Sequence, residues 1–208
     1  MSVAYSTNIV RNGLILCLDA ANIKSYPGSG TSWFDISGND NHHTLVGSPT
    51  WSNNRFTLIN GSSQGFQRLS TITGASTNSA NCTVVIWYST TDTQELWVMG
   101  NNSGSYYLSA SYGNNYYNGN CGSPTNYVDL ATVVNPATPT NYRNGNFHMW
   151  EAKNVDFFTT PWTRFDWFLY PGDWQISGTV SAIMMYNRVL SSDESAQNYY
   201  AFKGRYGL

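Results

Sequence analysis

GLILCLD, residues 13–19, is apolar on both alternating sets of positions. A strand with water on one side alternates apolar and polar side chains, so a run without alternation marks a strand covered on both faces. TVVIWYS, residues 83–89, carries the β-branched and aromatic side chains that suit a pleated, buried surface. ELWVM at 95–99 and YYLSASY at 106–112 continue the series, as do residues 147–152, 164–170 and 178–187. Between them sit turn clusters such as Asn101-Asn102-Ser103-Gly104 and Asn118-Gly119-Asn120. Short strands alternating with turns predict an all-β, two-sheet antiparallel sandwich. Leu14, Leu16, Val84, Ile86 and Ile183 are its predicted core residues.

One helix is predicted, near the end. Ser191-Ser192-Asp193-Glu194 has the capping-box pattern, Ser191 accepting from the backbone and Glu194 reaching back. Ala196, Tyr199, Tyr200 and Lys203 then make about three turns, and Gly204 is the expected stop. Residues 114–143, with Pro124, Pro136 and Pro139, read as loops with short strands. The expected organisation is an N-terminal arm, 1–12, and a single sandwich domain, 13–208.

Charged residues are only 11% of the chain while aromatics reach 15%. Disordered chains show the reverse. Polarity comes from neutral groups, including 24 Asn, which suit turns and contacts with uncharged partners. A net charge of −2 with ten basic residues spread over the chain gives no cluster able to displace counterions from nucleic acid. Cys17, Cys82 and Cys121 are an odd count without a close pair, which argues against disulfides and zinc. Cys17 and Cys82 read as small buried hydrophobes. There is no basic and apolar leader and no apolar run long enough to span a membrane. Synthesis in a cytoplasm without a signal peptide is the expectation.

Two stretches carry a resemblance. Residues 12–51 read NGLILCLDAANIKSYPGSGTSWFDISGNDNHHTLVGSPTW, and residues 183–208 read IMMYNRVLSSDESAQNYYAFKGRYGL. Together they resemble the laminin-G-like, concanavalin-A-like jelly-roll domains of tailed-phage virion proteins, of the cyanophage and marine-phage type. The matching positions are Gly13, Leu14, Leu18, Asp19, Ala20, Tyr26, Pro27, Gly28, Trp33, Asp35, Ser37, Gly38 and Asn39. They resume at Tyr186, Asn187, Arg188, Leu190, Ser191 and Glu194. Where that family has a Phe-Asp-Gly segment, this chain has Leu58-Ile59-Asn60-Gly61-Ser62, with Asn in place of Asp. The resemblance implies a jelly-roll sandwich displayed on a virion surface. Its partners would be other virion subunits, the major capsid protein or neighbouring copies, in a homo-oligomer.

Cofactors are expected to be none, with calcium the one open alternative. Asp35, Asn39 and Asp40 offer oxygens within one loop, and calcium needs six to eight. The same residues equally read as a turn whose side chains bond their own backbone, the preferred reading. His42 and His43, adjacent on a strand, point to opposite faces and do not share a metal. No two of the twelve carboxylates stand at i and i+2 on one strand, the arrangement a retaining jelly-roll glycosidase would use. The chain is therefore expected not to be an enzyme.

Aromatics crowd the last third: Trp150, Phe157, Phe158, Trp162, Phe165, Trp167, Phe168, Tyr170 and Trp174. Most are expected in the core. Trp162, after Pro161, and Trp174, after Pro171-Gly172-Asp173, are the ones expected at the surface, where Trp162, Trp174 and Asp173 could hold a sugar. Val3, Tyr5, Ile9 and Val10 make the arm apolar enough to lie along a neighbouring subunit. The expected function is capsid surface decoration, with adhesion to a host-surface glycan as an added role. A carbohydrate-binding receptor module of a tail or fibre is the alternative, and a polysaccharide depolymerase the third.

Overall fold

A computed structural model of the chain describes residues 8–74, 81–92, 96–101, 107–111, 118–119, 121–132, 142–157, 162–169 and 177–208. Among them the chain forms two antiparallel sheets and one C-terminal helix: the sandwich that the strand pattern predicts and that the resemblance implies as a jelly roll. The larger sheet runs β12 (Ala131–Thr132), β11 (Gly122–Val128), β13 (Phe147–Val155), β7 (Cys82–Thr90), β15 (Gly178–Tyr186), β5 (Arg55–Leu58), β4 (Thr50–Ser52). In it β1 (Leu14–Asp19) pairs with the second half of β15, and β5 with the first. The smaller sheet runs β10 (Asn118–Gly119), β9 (Tyr107–Ser111), β8 (Leu96–Gly100), β14 (Phe165–Trp167), β6 (Gly65–Arg68), β3 (His43–Val46), β2 (Ser32–Trp33).

Every residue of β1 and β7 is buried. Two separate apolar layers account for it. Leu16, Leu18, Val84, Ile86, Trp150 and Ile183 face the smaller sheet, where Trp33, Phe66 and Trp167 meet them. Leu14, Cys17, Val85, Trp87, Met149 and Met184 point the other way and are covered by α1 (Ser192–Lys203) through Phe202 and Tyr199. Alternation is lost because both faces are dry, as the sequence of residues 13–19 requires. All three cysteines are buried, and none is in a disulfide.

The helix begins with the predicted capping box. Ser191 accepts from the Glu194 backbone, and the Glu194 carboxylate accepts from the Ser191 N–H at 2.9 Å. Arg188 then grips the same carboxylate with two nitrogens, at 2.8 and 2.5 Å. Gly204 ends the helix, but in right-handed conformation, with φ −61°. The positive-φ freedom of glycine is not what stops it there. Below the helix, Asn198 closes a small ring. Its Oδ1 accepts from the Val10 N–H at 2.9 Å and its Nδ2 donates to the Tyr186 hydroxyl at 3.1 Å. That hydroxyl donates in turn to the Val10 carbonyl at 3.1 Å.

This corrects the reading of Val10 as part of a free arm. Its side chain is buried beneath the helix, and half-buried Ile9 packs against the same cluster. An apolar residue just ahead of the first strand is used by the domain's own second core. Val3 and Tyr5 lie outside the described residues.

Candidate functional site

The β4–β5 hairpin turns through Asn53 and Asn54, whose φ values of 50° and 65° are both left-handed. Two-residue hairpin turns of this kind match the right-handed twist of the strands, and Asn tolerates the conformation. The turn leads into Arg55, which pairs with Ser52 across the hairpin. The Arg55 guanidinium lies over the Phe147 ring, 5.0 Å from its centre, and its Nε donates to the Asn53 carbonyl at 3.3 Å. Phe147 is stacked in turn on Tyr206, with centroids 4.2 Å apart and planes within 10°.

Tyr206 belongs to the segment after the helix. Its hydroxyl donates to Ser181 Oγ at 2.6 Å, and Ser181 donates to the Asn54 carbonyl at 3.3 Å. Burial pushes the phenol up to about 12, so it stays a donor at neutral pH. Next to it, Arg205 sends Nη1 to both oxygens of buried Asp19, at 2.8 and 2.9 Å. Together Ala21, Asn53, Asn54, Arg55, Ser181, Arg205 and Tyr206 enclose a cleft of about 380 Å³. It lies on the outer side of the larger sheet, beside the helix terminus.

The electrostatics of the cleft are one-sided. Asp19 balances Arg205. Among the described residues no carboxylate lies within ion-pair distance of Arg55. Its two terminal nitrogens, and the side-chain amides of Asn53 and Asn54, make no hydrogen bond there either. The cleft thus offers unspent donors and acceptors around one uncompensated cation.

None of these seven residues was singled out by sequence reasoning. The Asn53-Asn54 pair between two strand-like runs was a legible hairpin signal. The approach of residues 21, 181 and 205–206 is tertiary and left no local trace.

The structure corrects Trp162. It is buried, with its ring against Phe157 at 5.2 Å and Phe165 at 5.5 Å, and offers no platform to a ligand. Trp174 and Asp173 lie outside the described residues. Asp35 is occupied by its own loop. One oxygen accepts from the N–H groups of Cys17 and Ser37, at 2.8 and 2.9 Å. The other accepts from the Ser37 hydroxyl and the Asn41 N–H, at 2.7 and 3.0 Å. Asn39 donates to the Leu14 carbonyl and to Ser37 Oγ. Asp40 points to solvent, its side chain 91% exposed. A cation would have to displace four hydrogen bonds to take Asp35, and the turn reading describes this loop. His43 is buried and His42 exposed, on the opposite faces that their adjacency requires.

Elsewhere, His148 Nδ1 lies 2.6 Å from Asp129 Oδ2. The other oxygen of Asp129 accepts from the Met149 N–H at 2.9 Å. The carboxylate comes from the turn after β11 and the imidazole from β13.

No family model matches the chain, and no curated protein matches it. Solved structures do match. Trypanosoma rangeli sialidase in complex with sialic acid aligns at TM-score 0.55 and 12% identity, over 93% of this chain and 33% of the sialidase. A further structure of Trypanosoma rangeli sialidase aligns at TM-score 0.55 and 13% identity, with the same coverage. A mutant of that sialidase displaying trans-sialidase activity aligns at TM-score 0.54 and 13% identity, over 94% of this chain and 34% of the mutant. The likeness is one of fold, and this chain spans about a third of the length of those proteins. It corrects the expectation that the chain is no enzyme, because the fold occurs in enzymes. That expectation rested on carboxylates within one strand. Pairs assembled from separate elements, as Asp129 and His148 are, leave no such spacing in the sequence.

Proposed function

We propose that this domain recognises carbohydrate and holds it in the cleft beside the turn of Asn53 and Asn54. The observation that carries this reading is the cleft's lining. Two amides, a tyrosine, a serine and two guanidinium groups converge on about 380 Å³, within the 300–1,000 Å³ or so usual for small-molecule sites. A sugar needs many short hydrogen bonds to fixed groups, and the Tyr206–Ser181–Asn54 chain fixes them. The low-charge, Asn-rich composition supports the same reading. So does the occurrence of the fold in a sialidase solved with sialic acid.

The test is two-dimensional NMR of the labelled protein titrated with host-surface oligosaccharides, with reducing ends assayed in parallel. Saturable shifts at Ala21, Asn54 and Ser181 support recognition in the cleft. Shifts confined to other residues would remove the cleft from the reading, and release of product would extend it to turnover.

A second reading sets the domain on the surface of a tailed-phage virion, beside the major capsid protein or neighbouring copies. It is supported by the two end motifs, whose residues pair as β1 with β15 and cap the helix. Stoichiometric copies in purified particles, measured by mass spectrometry, support it, and absence from them removes it.

A further inference from the structure

We infer that the cleft selects a sugar bearing a carboxylate, with Arg55 as its anchor; this rests on the carbohydrate reading above. Arg55 is placed like a receptor for an anion. The Phe147 face and the Asn53 carbonyl hold its guanidinium on the cleft lining, and among the described residues its terminal nitrogens make no hydrogen bond. A guanidinium fork matches a planar carboxylate with two parallel hydrogen bonds, which a hydroxyl cannot reproduce. Arg205 stands on the same lining with Nη1 spent on Asp19, so it adds donors without a second net charge. The free amides of Asn53 and Asn54 can take ring hydroxyls beside the carboxylate. Among the described residues no carboxylate lines the cleft, and nearby Asp19 is spent on Arg205.

The experiment uses the full chain and matched probes: an oligosaccharide ending in glucuronic acid, the same oligosaccharide ending in glucose, and a sulfated counterpart. Calorimetry is run at low and at physiological salt. The carboxylated probe is expected to bind at least about tenfold more tightly than the neutral one, as a charge-assisted pair would give. That preference should shrink as salt rises. In Arg55→Gln the ratio should fall toward one. In Arg55→Lys it should fall part way, because charge remains without the fork. Equal binding of acidic and neutral probes, or preference for the sulfated probe, overturns the inference and leaves the carbohydrate reading standing. A preference unchanged in Arg55→Gln removes Arg55 as the anchor. Binding of none of the probes, with no cleft shifts in the wild-type chain, defeats both. The wild-type comparison stands even if Arg55→Gln does not fold.

Discussion

The hydroxyl of Tyr206 donates to Ser181 Oγ at 2.6 Å, tying the segment after the helix to the middle of β15. The ring that carries it is stacked on Phe147, beneath Arg55. Tyr206→Phe keeps the stack and loses the hydrogen bond, so unfolding in urea should show a loss of about 1 kcal/mol. Tyr206→Ala removes the stack as well and should cost about 3 kcal/mol or more. If the cleft is the binding site, both should weaken glycan binding, Tyr206→Ala the more. Equal stability of Tyr206→Phe and wild type would show that water replaces the bond at no cost.

Trp162 is a core residue, and its replacement should behave as one. Trp162→Ala is expected to destabilise the domain by about 3–5 kcal/mol. If the cleft binds glycan, whatever stays folded should bind it with unchanged affinity, because Trp162 is buried and is not among the cleft-lining residues. Thermal melts and the NMR titration separate the two effects. A stable Trp162→Ala protein with lost binding would return the residue to the surface.

The Trp162 outcome shows where sequence reasoning stops. A tryptophan after proline reads as a loop residue, and whether a loop folds inward is decided by distant partners, here Phe157 and Phe165. The strands were legible because their signal is local: β1, β7 and β15 are runs of apolar, β-branched and aromatic residues with covered faces. The capping box at Ser191 and the opposed faces of His42 and His43 follow from spacing alone. The cleft has no such spacing. Arg55, Ser181 and Tyr206 are brought together only when β5 pairs with β15 and the end of the chain folds over them. Val10 misled for the same reason, since the helix that buries it is far away in sequence.

His43 should give the domain an acid-sensitive component. Trp167 Nε1 donates to His43 Nε2 at 2.9 Å, so Nδ1 carries the proton and donates to the Asn41 carbonyl. Burial pulls the ring's pKa down to about 3, while the unfolded chain takes up its proton near 6.5. Between those values the unfolded state binds more protons, so stability falls as pH drops, by up to about 1.4 kcal/mol per unit. His43→Gln should be less stable at pH 7.5 and should lack this part of the slope. Urea midpoints at pH 7.5 and 4.5 for both proteins check it, and parallel losses would contradict it.

The helix start should contribute with the opposite kind of group. Arg188, with help from the Ser191 backbone, holds the Glu194 carboxyl down at about 2. A depressed carboxylate stabilises above its unfolded value, 4.5, and that gain is lost as pH falls toward 2. Glu194→Gln should cost about 1 kcal/mol at pH 7, given the partial exposure of the pair. Its gap from wild type should close on acidification from pH 4.5. Ser191→Ala should cost about 1 kcal/mol at either pH. A Glu194→Gln gap that persists at pH 2 would place the carboxylate's contribution in shape rather than charge.

The pairing of β1 with β15 also governs how this chain can come into being. Tyr186 hydrogen-bonds Val10 across 176 residues, and β1 has β15 as its ladder partner. On a ribosome, this apolar strand has no partner strand until β15 emerges, although its bonds to the Asp35 loop can form earlier. Topologies dominated by such distant contacts fold slowly and expose sticky edges meanwhile. Yield in a heterologous host should therefore depend on chaperone supply and growth temperature more than on the stability of the finished domain.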